Sequence, residues 1–400
     1  MDVKETLKII LISYYFSSKY ETGGIRAQKF AKYLPAFGVE PLVVTRKVTD
    51  HYPFQGKCFF VRTIPIHWPF HLESFTWIPG LFWTCLKLIK KEKIDALLFC
   101  CGPFPVVIVG VFLKRLFGVK LVLDYRDYWT PSPYVSRISR FHRHLNRVLM
   151  PLERWFLRYT DRLILVQREM ETKYLYEFPF LKGKTETIFN GFDEEDLSGG
   201  LEEEFEKRTL LHLGNLHLDL NPTYPMLLLK GLQKLKTENV LTESNFQVVV
   251  VGEQFEAFNE KVRELGLSGI VSILERLPHS EAIPYLKRAH VLLIVVETEG
   301  IMTSKIFEYL AVGKPVFALI KPGELMELIQ EFSPASIIVT SYDLDEIVKG
   351  IERCIAWKAD GSERDGSHER FRNEYNRRAL TKQLTKVLVD VSCTGDVCGA

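Results

Sequence analysis

Apolar runs of strand length alternate along this chain with amphipathic segments of helical length. The runs are continuous and rich in β-branched residues, which is typical of strands buried on both faces of a parallel sheet. They form two series: LKIILISYYF, EPLVVTR, DALLFCC, VKLVLDYRD and RLILVQ, then RTLLHLG, FQVVVVGE, VSILERL, HVLLIVVE and PVFALI. The pattern predicts an α/β protein with two doubly wound domains.

The boundary between these domains is predicted at an acidic, glycine-bearing segment. DEEDLSGGLEEEFEKR, residues 193–208, separates the two series of apolar runs. We therefore expect an N-terminal domain over residues 1–195 and a C-terminal domain over residues 205–365. After residue 358 the chain is polar, and residues 366–392 then have the pattern of a closing helix.

One apolar stretch, ALLFCCGPFPVVIVGVFL at residues 96–113, is long enough to span a bilayer and carries no charge. Gly102, Pro103 and Pro105 interrupt its middle, so a buried strand, a turn and a buried helix explain it better. The N-terminal segment is acidic and carries lysine before its apolar part, unlike a signal peptide. The seven cysteines include no C-x-x-C pair, which fits a reducing compartment, and we expect a cytoplasmic protein.

Composition narrows the class of partner. Hydrophobic residues make up 46% and aromatic residues 12% of the chain, which indicates well-packed globular domains. Lys and Arg number 52 against 50 Asp and Glu, so the global charge does not suggest a nucleic-acid partner.

Ligands of open parallel sheets bind beyond the carboxyl ends of the strands, and four predicted strand ends carry unusual residues. Glycines at two of them either bring backbone amides to a phosphate or form ordinary turns. Acidic residues at a third are either used chemically or belong to a structural Arg–Asp pair. The residues are Gly23-Gly24, Gly214-Asn215, Asp124 with Arg126 and Asp127, and TSKIFEYLAVGKP at residues 303–315.

The pattern of residues 303–315 predicts a short helix that Gly313 and Pro315 bring to an end. It places Lys305 in the first turn, where a cation opposes the helix dipole by about 0.3–1 kcal/mol. Glu308 lies on the same face, so a surface ion pair is one interpretation. An anion bound at the helix start is the other, because it would stabilise a cation there.

In their order and spacing, these segments resemble the retaining glycosyltransferases of family 4, the group 1 type with the GT-B fold. The resemblance covers nearly the whole chain. The matching segments are GG-x-R at 23–26, D-x-R-D-x-W at 124–129, IFNGFD at 188–193, LHLGNL at 211–216, ERLPHSEAIPYLKRAHVLLIVVE at 275–297 and TSKIFEYLAVGKPVFA at 303–318.

The resemblance implies two Rossmann-like domains facing each other across a cleft, with a C-terminal helix that returns to the N-terminal domain. It also implies transfer of a sugar from a nucleotide-sugar donor, a UDP- or GDP-sugar, with retention of anomeric configuration. The acceptor would be a glycan or a lipid-linked molecule, as in polysaccharide biosynthesis. The donor is a substrate, and neither a cofactor nor a metal ion is expected.

The resemblance also assigns roles to residues. Lys305 would neutralise the donor diphosphate, and Glu308 would bind the ribose hydroxyls. The other expected donor-binding residues are Gly23, Gly24, Arg26, Gly214, Asn215, Thr303 and Ser304. The residues expected to act in catalysis are Asp127, Lys305 and Glu299.

The chain departs from the family pattern at three places. Eight residues separate Glu299 from Glu308 where many members have seven. Asp127 stands where many members have a catalytic histidine. Asn221 lies near the position of an arginine that commonly joins the lysine, so Lys305, helped by Arg26, would carry more of the phosphate charge.

Metal-dependent sugar transferases of another fold use an Asp-x-Asp motif, which occurs here in YDLDE at residues 342–346. Ser341 and Asp343 are more typical of caps for the helix that follows. Five of the ten histidines are candidates by position, but they have no ligand spacing and are expected at solvated or core positions. They are His142, His144, His212, His217 and His279.

The segment RISRFHRHLNRVLMPLERWFLRY predicts a basic amphipathic helix. Such a helix binds anionic membranes, although an ordinary helix packed on the sheet has the same pattern. We expect peripheral contact with the inner face of a membrane. The apolar stripe is Ile138, Phe141, Leu145, Val148, Leu152 and Trp155, flanked by Arg140, Arg143, Arg147, Arg154 and Arg158.

Two other functions remain open from the sequence. A sugar-nucleotide epimerase is also built on two similar domains, but it needs carboxylates and histidines for proton transfer and has no acceptor. A non-catalytic partner subunit would keep the fold without turnover. Product analysis with and without an acceptor separates these functions from a transferase.

Overall fold

The structure is a computed structural model that describes residues 6–18, 21–49, 51–64, 73–133, 140–199, 202–216, 222–253, 256–358 and 366–393. Nothing further is described of the side chains of residues 73 and 140–143. The chain divides into two compact units, which are Met1–Asn190 with Arg377–Ala400, and Gly191–Asn376.

The first unit is built on a parallel sheet, whose order across the described strands is β3-β2-β1-β4-β5-β6-β7. All these strands are parallel, and the order in which they are added reverses between β1 and β4. Doubly wound sheets bind ligands at such a point. The strands are β1 (Leu7–Ile12), β2 (Val39–Arg46), β3 (Cys58–Val61), β4 (Ala96–Cys101), β5 (Lys120–Tyr125), β6 (Arg162–Leu165) and β7 (Thr185–Thr187).

Helices cover both faces of this sheet. Ile9 and Leu11 of β1 pack in one core with α1 and α14, while Ile10 and Ile12 pack in the opposite core with α2 to α5. This alternation follows from the two-residue period of a strand and explains why the run is apolar throughout. The helices are α1 (Thr22–Tyr33), α2 (Glu73–Lys91), α3 (Val107–Phe117), α4 (Arg140–Tyr159), α5 (Arg168–Glu177) and α14 (Arg377–Cys393).

The second unit has its own parallel sheet, ordered β10-β9-β8-β11-β12-β13 over the described strands. Its strands are β8 (Arg208–Leu213), β9 (Phe246–Val251), β10 (Val271–Leu274), β11 (Val291–Val296), β12 (Val316–Ile320) and β13 (Ile337–Val339). Its helices are α6 (Glu194–Leu197), α7 (Thr223–Thr237), α8 (Glu256–Glu264), α9 (His279–Arg288), α10 (Lys305–Val312), α11 (Glu324–Phe332), α12 (Leu344–Ala356) and α13 (Gly366–Tyr375).

The two doubly wound domains predicted from the apolar runs are confirmed, and the ten runs all form strands. The apolar stretch 96–113 is β4, a turn and the start of α3, as expected. Among the described residues, no helix is long and apolar enough to cross a membrane.

The domain limits differ from the prediction. The units divide after Asn190 rather than at residues 193–208, because Asp193 caps α6 and Phe205 N–H donates to Arg288 O at 3.1 Å in the second unit. The predicted closing helix is two helices. α13 packs on α10 and α11 in the second unit, and α14 packs on α1 in the first.

A buried ion pair ties α1 to β5. Arg26, only 2% exposed, donates from Nε to both oxygens of Asp124 and from Nη2 to Oδ1 at 2.9 Å. Its Nη1 and Nη2 atoms also donate to Phe189 O at 2.7 Å and to Ile188 O at 2.8 Å. The guanidinium therefore joins one helix, one strand and the last segment of the first unit.

Because a buried pair is costly to break, Asp124→Asn should destabilise the first unit by about 3–5 kcal/mol. The measurement is urea unfolding followed by tryptophan fluorescence, since five of the six tryptophans belong to that unit. Glu40→Gln, in the exposed pair with Lys57 at 2.9 Å, is the matched control and should cost under about 1 kcal/mol. Equal losses for the two variants would contradict a structural role for the buried pair.

Candidate functional site

The first candidate region lies where β1 leads into α1. Gly23 and Gly24 belong to the first turn of α1, not to a loop before it. A Cβ atom on Gly24 would lie 2.3 Å from Tyr15 O, so only glycine fits there. The Gly24 amide donates to Glu21 O at 3.0 Å, which commits it and removes it from the predicted phosphate contacts.

The prediction that Arg26 helps to neutralise a phosphate is wrong for this structure. Its guanidinium is buried, and it is held by Asp124 and by the carbonyl oxygens of residues 188 and 189. The alternative reading of a structural Arg–Asp pair applies to Asp124, but its partner is Arg26 and not Arg126.

Asp127 lies just beyond the carboxyl end of β5 and is 66% exposed at its side chain. Arg126 donates to Asp127 Oδ2 from Nη2 at 3.0 Å and to Thr22 O from Nη1 at 2.9 Å. Arg126 thus connects Asp127 to the start of α1. An exposed carboxylate at this edge is accessible to a ligand, unlike the buried carboxylate of Asp124.

The second candidate region lies in the second unit, where α10 begins. Lys305 is its first residue, and the preceding Ser304 makes no side-chain capping bond to the helix. A Cβ atom on Gly214 would lie 2.3 Å from Lys305 Nζ, so the ammonium lies directly against the end of β8. Gly214 also has φ of +119°, which side chains disfavour, so two constraints require glycine here.

Tyr309 fixes α10 to this strand end. Its buried hydroxyl accepts a hydrogen bond from the N–H of Leu213 at 2.9 Å, one residue before Gly214. Lys305 lies one turn before Tyr309 on the same helix, so the bond also sets the position of the lysine. Thr303 and Ser304 precede the helix and place their backbone at the same start.

The charge on Lys305 is poorly compensated. No carboxylate lies within 4.0 Å of its ammonium among the residues that the structure describes. Burial lowers the pKa of Lys305, and the attraction from Glu308 only opposes this. The predicted alternative of a Lys305–Glu308 ion pair is therefore wrong.

Glu308 has a different partner, His279. Nε2 of His279 and Oε1 of Glu308 are 2.6 Å apart, and Nδ1 of the same ring lies 3.9 Å from Asp196 Oδ2. The expectation of a merely solvated or core histidine is wrong for His279, which begins α9 beside the site. Its place in the ERLPHSE segment was the available sequence signal.

The two glutamates after β11 have different environments. Glu299, the predicted catalytic residue, is exposed, and among the described residues no hydrogen bond or ion pair joins it to Lys305 or Glu308. Glu297 is buried and accepts a hydrogen bond from the N–H of Tyr224, at the start of α7, at 2.6 Å. Sequence analysis missed Glu297, whose carboxylate supports the helix that follows the Gly214 segment.

Asn215 and a cavity lie on the β9 side of this region. A Cβ atom on Gly252, after β9, would lie 2.6 Å from Gly214 O and 2.9 Å from Asn215 Oδ1. Gly252 also lines a cavity of about 750 Å³ between α8 and β10. Residues 274–276 and Asn259 line it too, and Oδ1 of Asn259 is buried with no hydrogen-bond partner in the described part of the chain. Asn221 lies outside the described residues.

The Asp-x-Asp segment acts as a helix start. Asp343 Oδ1 accepts a hydrogen bond from Glu346 N–H at 2.9 Å, which confirms its predicted cap of α12, while Ser341 instead bonds to the Glu346 carboxylate. Within the described part of the chain, no three His, Cys, Asp or Glu side chains are grouped to hold a metal ion. His212 is buried, with Nδ1 2.9 Å from Leu293 O.

The predicted apolar stripe of α4 is divided between two surroundings. Leu152 and Trp155 pack against the core, whereas Leu145 and Val148 are exposed. Ile138 and the side chain of Phe141 lie outside the described residues. The stripe is therefore partly a packing surface and partly an outer surface.

Comparison with known proteins identifies both halves of the chain. Residues 23–196 match the family model described as Glycosyltransferase Family 4, and residues 194–373 match the model described as Glycosyl transferases group 1. A search of curated proteins gives no match.

Solved structures share the architecture over nearly the full chain. Sucrose-phosphate synthase from Thermosynechococcus elongatus has a TM-score of 0.74 at 17% identity, covering 97% of this chain and 100% of that chain. HepE from Anabaena, solved with UDP-glucose, has a TM-score of 0.67 at 16% identity, with 96% and 100% covered. WaaG, a glycosyltransferase involved in lipopolysaccharide biosynthesis, has a TM-score of 0.65 at 13% identity, with 96% and 99% covered.

At these identities the likeness to solved structures establishes the fold, two Rossmann-like domains of the GT-B type. The two family models adjoin and together span residues 23–373, which include all the candidate site residues. The chain belongs to the glycosyltransferases of the family 4 and group 1 type.

Proposed function

We propose that this glycosyltransferase moves a sugar from a nucleotide-sugar to a glycan or lipid-linked acceptor, with retention of anomeric configuration and without a metal ion. The observation that carries the proposal is Lys305, a partly buried cation at a helix start with no carboxylate within 4.0 Å among the described residues. The structural neighbour HepE is described in complex with UDP-glucose, which supports a donor of this class.

The donor diphosphate would lie against Lys305 and the first amides of α10. The helix dipole and the amides favour an anion there, and the anion restores the interactions that the desolvated ammonium lacks. Because Lys305 lies close to Gly214, the backbone amides of Gly214 and Asn215, which follow β8, would also lie near the diphosphate. A diphosphate therefore satisfies three features of this strand end together.

Glu308 and the cavity beside Gly252 would hold the nucleoside. The bond to His279 orients the Glu308 carboxylate and leaves its second oxygen as an acceptor for ribose hydroxyls. The cavity adjoins the Gly214 segment through Gly252, and a base attached to that ribose would occupy it. Asn259 would offer its unpartnered oxygen there.

The reaction breaks the bond between the sugar C1 and the diphosphate oxygen and forms a bond from the acceptor oxygen to C1 on the same face. The acceptor proton passes to the departing phosphate oxygen. Negative charge grows on the diphosphate as its bond breaks, so Lys305 and the amides stabilise the transition state more than the bound donor. Asp127 would orient the sugar or the acceptor hydroxyl from the first unit.

Lys305→Ala should weaken binding of the nucleoside diphosphate about ten- to a hundredfold, because a charge-assisted hydrogen bond contributes about 1.5–3 kcal/mol. Turnover should fall further, by analogy with the ~10²–10³ loss on removing an oxyanion donor. Calorimetry with UDP and GDP measures the first effect, and a transfer assay measures the second.

Lys314→Ala is the matched control. Lys314 is a partly buried lysine of the same unit, and it pairs with Glu204 at 2.5 Å. It precedes β12 and so lies at the amino ends of the strands, whereas Lys305 lies at their carboxyl ends. It should bind the nucleotide as the wild type does. Undiminished affinity in Lys305→Ala, or an equal loss in both variants, would remove the donor site from this position.

Transfer should proceed at the wild-type rate in excess EDTA, because the ammonium and the helix start take the place of a divalent cation. The assay compares initial rates before chelation, after chelation and after Mn²⁺ is added back. Loss of activity in EDTA with recovery in Mn²⁺ would contradict the metal-free reaction.

A membrane-facing surface would bring the enzyme to a lipid-linked acceptor. The outward sides of α2, α3 and α4 expose Trp83, Leu116 and Val148, each at least 60% accessible. Glu153 is the acidic residue whose side chain is described on these three helices, and it is buried, so no described acidic side chain is exposed on them. The exposed basic side chains on them are Lys87, Lys90, Lys91, Arg115, Arg147 and Arg158.

This surface carries local positive charge although the whole chain is nearly neutral. Exposed aromatic and aliphatic side chains among basic ones bind the headgroup region of anionic bilayers. The packing of Trp155 on Phe112, with ring centroids 6.3 Å apart, holds α3 and α4 together as one surface.

The protein should sediment with vesicles of anionic phospholipid in low salt and much less with zwitterionic vesicles, since salt screens exposed charges beyond about 8–10 Å. Leu116→Glu should lower recovery severalfold. Val240→Glu, an exposed apolar position of the second unit, should not. Equal recovery with both vesicle types would contradict the membrane contact.

A further inference from the structure

A buried carboxylate holds the loop that follows β5. Glu153 of α4 is fully buried, and its Oε2 atom accepts hydrogen bonds from the Thr130 N–H, at 3.1 Å, and from the Thr130 hydroxyl. Its Oε1 atom accepts from the hydroxyl of Tyr174 at 2.9 Å, and that hydroxyl accepts from the Trp129 N–H at 3.1 Å. Two successive amides of the loop are thus tied to one carboxylate, one directly and one through Tyr174.

Further contacts fix the same two residues. The Trp129 ring stacks on Phe104, with centroids 5.2 Å apart and planes 2° apart, and the side-chain amide of Asn146 donates to Thr130 O. Asp127 lies only two residues before Trp129, yet its side chain is mostly exposed. The loop therefore presents Asp127 and Arg126 from a rigid base.

The hydrogen bonds around Glu153 suit a carboxylate better than a neutral group. The N–H and hydroxyl of Thr130 and the hydroxyl of Tyr174 all donate to Glu153, which suits an ionised acceptor. Burial raises the pKa of Glu153 to about 7, against the lowering by these donors. Cys101 of β4 and Tyr125 of β5 also face it, and burial raises the pKa of both.

A buried carboxylate that has no basic partner among the residues described here contributes poorly to stability. Above pH 7 the group is charged in the folded and unfolded states alike, and burial then costs folding free energy. Because the folded pKa lies above the usual 4.5, this contribution worsens as pH rises from about 4.5 to 7. We therefore expect the role of Glu153 to lie in the loop geometry that it sets, and not in the stability of the fold.

We propose that Glu153 is a positioning residue for glycosyl transfer, which holds the loop of residues 126–130 so that Asp127 meets the reacting sugar or acceptor. This inference rests on the proposed function. A misplacement of about 1 Å at a reacting group costs about 10²-fold in rate, so loss of the anchor should lower turnover strongly. Donor affinity should be unaffected, since Lys305 and Glu308 belong to the other unit.

The test is Glu153→Gln in the full chain, which keeps the size but turns one acceptor oxygen into a donor facing Thr130 or Tyr174. We expect kcat about 10- to 100-fold lower, with the donor KM and the calorimetric affinity for UDP or GDP within about twofold of the wild type. The melting temperature at pH 8 should stay close to that of the wild type. Glu171→Gln, which alters a glutamate that accepts from Thr187 at 2.6 Å in the same unit, is the control and should keep full activity.

Asp127→Asn and the double variant Asp127→Asn/Glu153→Gln complete the comparison. If Glu153 acts through Asp127, the double variant should be no slower than Asp127→Asn alone. If Glu153→Gln does not fold, Tyr174→Phe removes a single hydroxyl of the network and should show the same selective fall in kcat.

Wild-type kcat in the folded Glu153→Gln variant, or in Tyr174→Phe where that one is used, overturns this inference alone. So does a parallel loss of kcat and nucleotide affinity, which would indicate general disruption. Absence of any transfer by the wild-type protein would instead contradict the proposed function.

Discussion

The packing of Lys305, at the start of α10, against the end of β8 determines which residues can stand around the candidate site in the second unit. The dipole of α10 disfavours a cation at its first residue, and burial disfavours it further. Lys305 Nζ nevertheless lies only 2.3 Å from the position that a Cβ of Gly214 would take. Gly214 must be glycine to admit it, and Tyr309 holds the helix to Leu213. An anion bound there would stabilise the arrangement, as the proposed donor site requires.

Two aspartates near the end of β5 in the first unit have different surroundings. Asp124 is buried and satisfied by Arg26, so it joins α1 to β5, whereas Asp127 is exposed and held by Arg126. The buried network of Glu153, Tyr174 and Thr130 lies directly behind this loop. The loop that exposes Asp127 is thus supported by groups that lie buried beneath it.

The sequence predicts the strands well because runs such as FQVVVV and VLLIVV are buried on both faces and leave no ambiguity of period. The short strands β3, β7 and β13 escape it, since three or four residues carry too little pattern. The strand-end rule brings out Lys305, Glu308, Gly214 and Asp127 as candidates. It misassigns Arg26, whose acceptors lie about 100 and 160 residues further along the chain.

Helical spacing also misleads about partners. It suggests that Lys305 meets Glu308, but spacing does not fix which way a side chain turns, and His279 from α9 takes the glutamate. In the same way, Glu153 stands next to the apolar stripe of α4 in the sequence, and nothing there distinguishes it from the other polar residues of the helix. Only packing shows that it is buried beneath the loop of Asp127.

The most direct test is the pKa of Lys305 itself, measured by NMR on protein with isotope-labelled lysine, first without ligand and then saturated with UDP or GDP. Lys305→Ala assigns the resonance. The account predicts a pKa below the usual range in the free protein, because burial disfavours the charged form, and a clear rise when the diphosphate binds. A pKa that does not change when the nucleotide binds would contradict the claim that Lys305 is placed for the donor diphosphate.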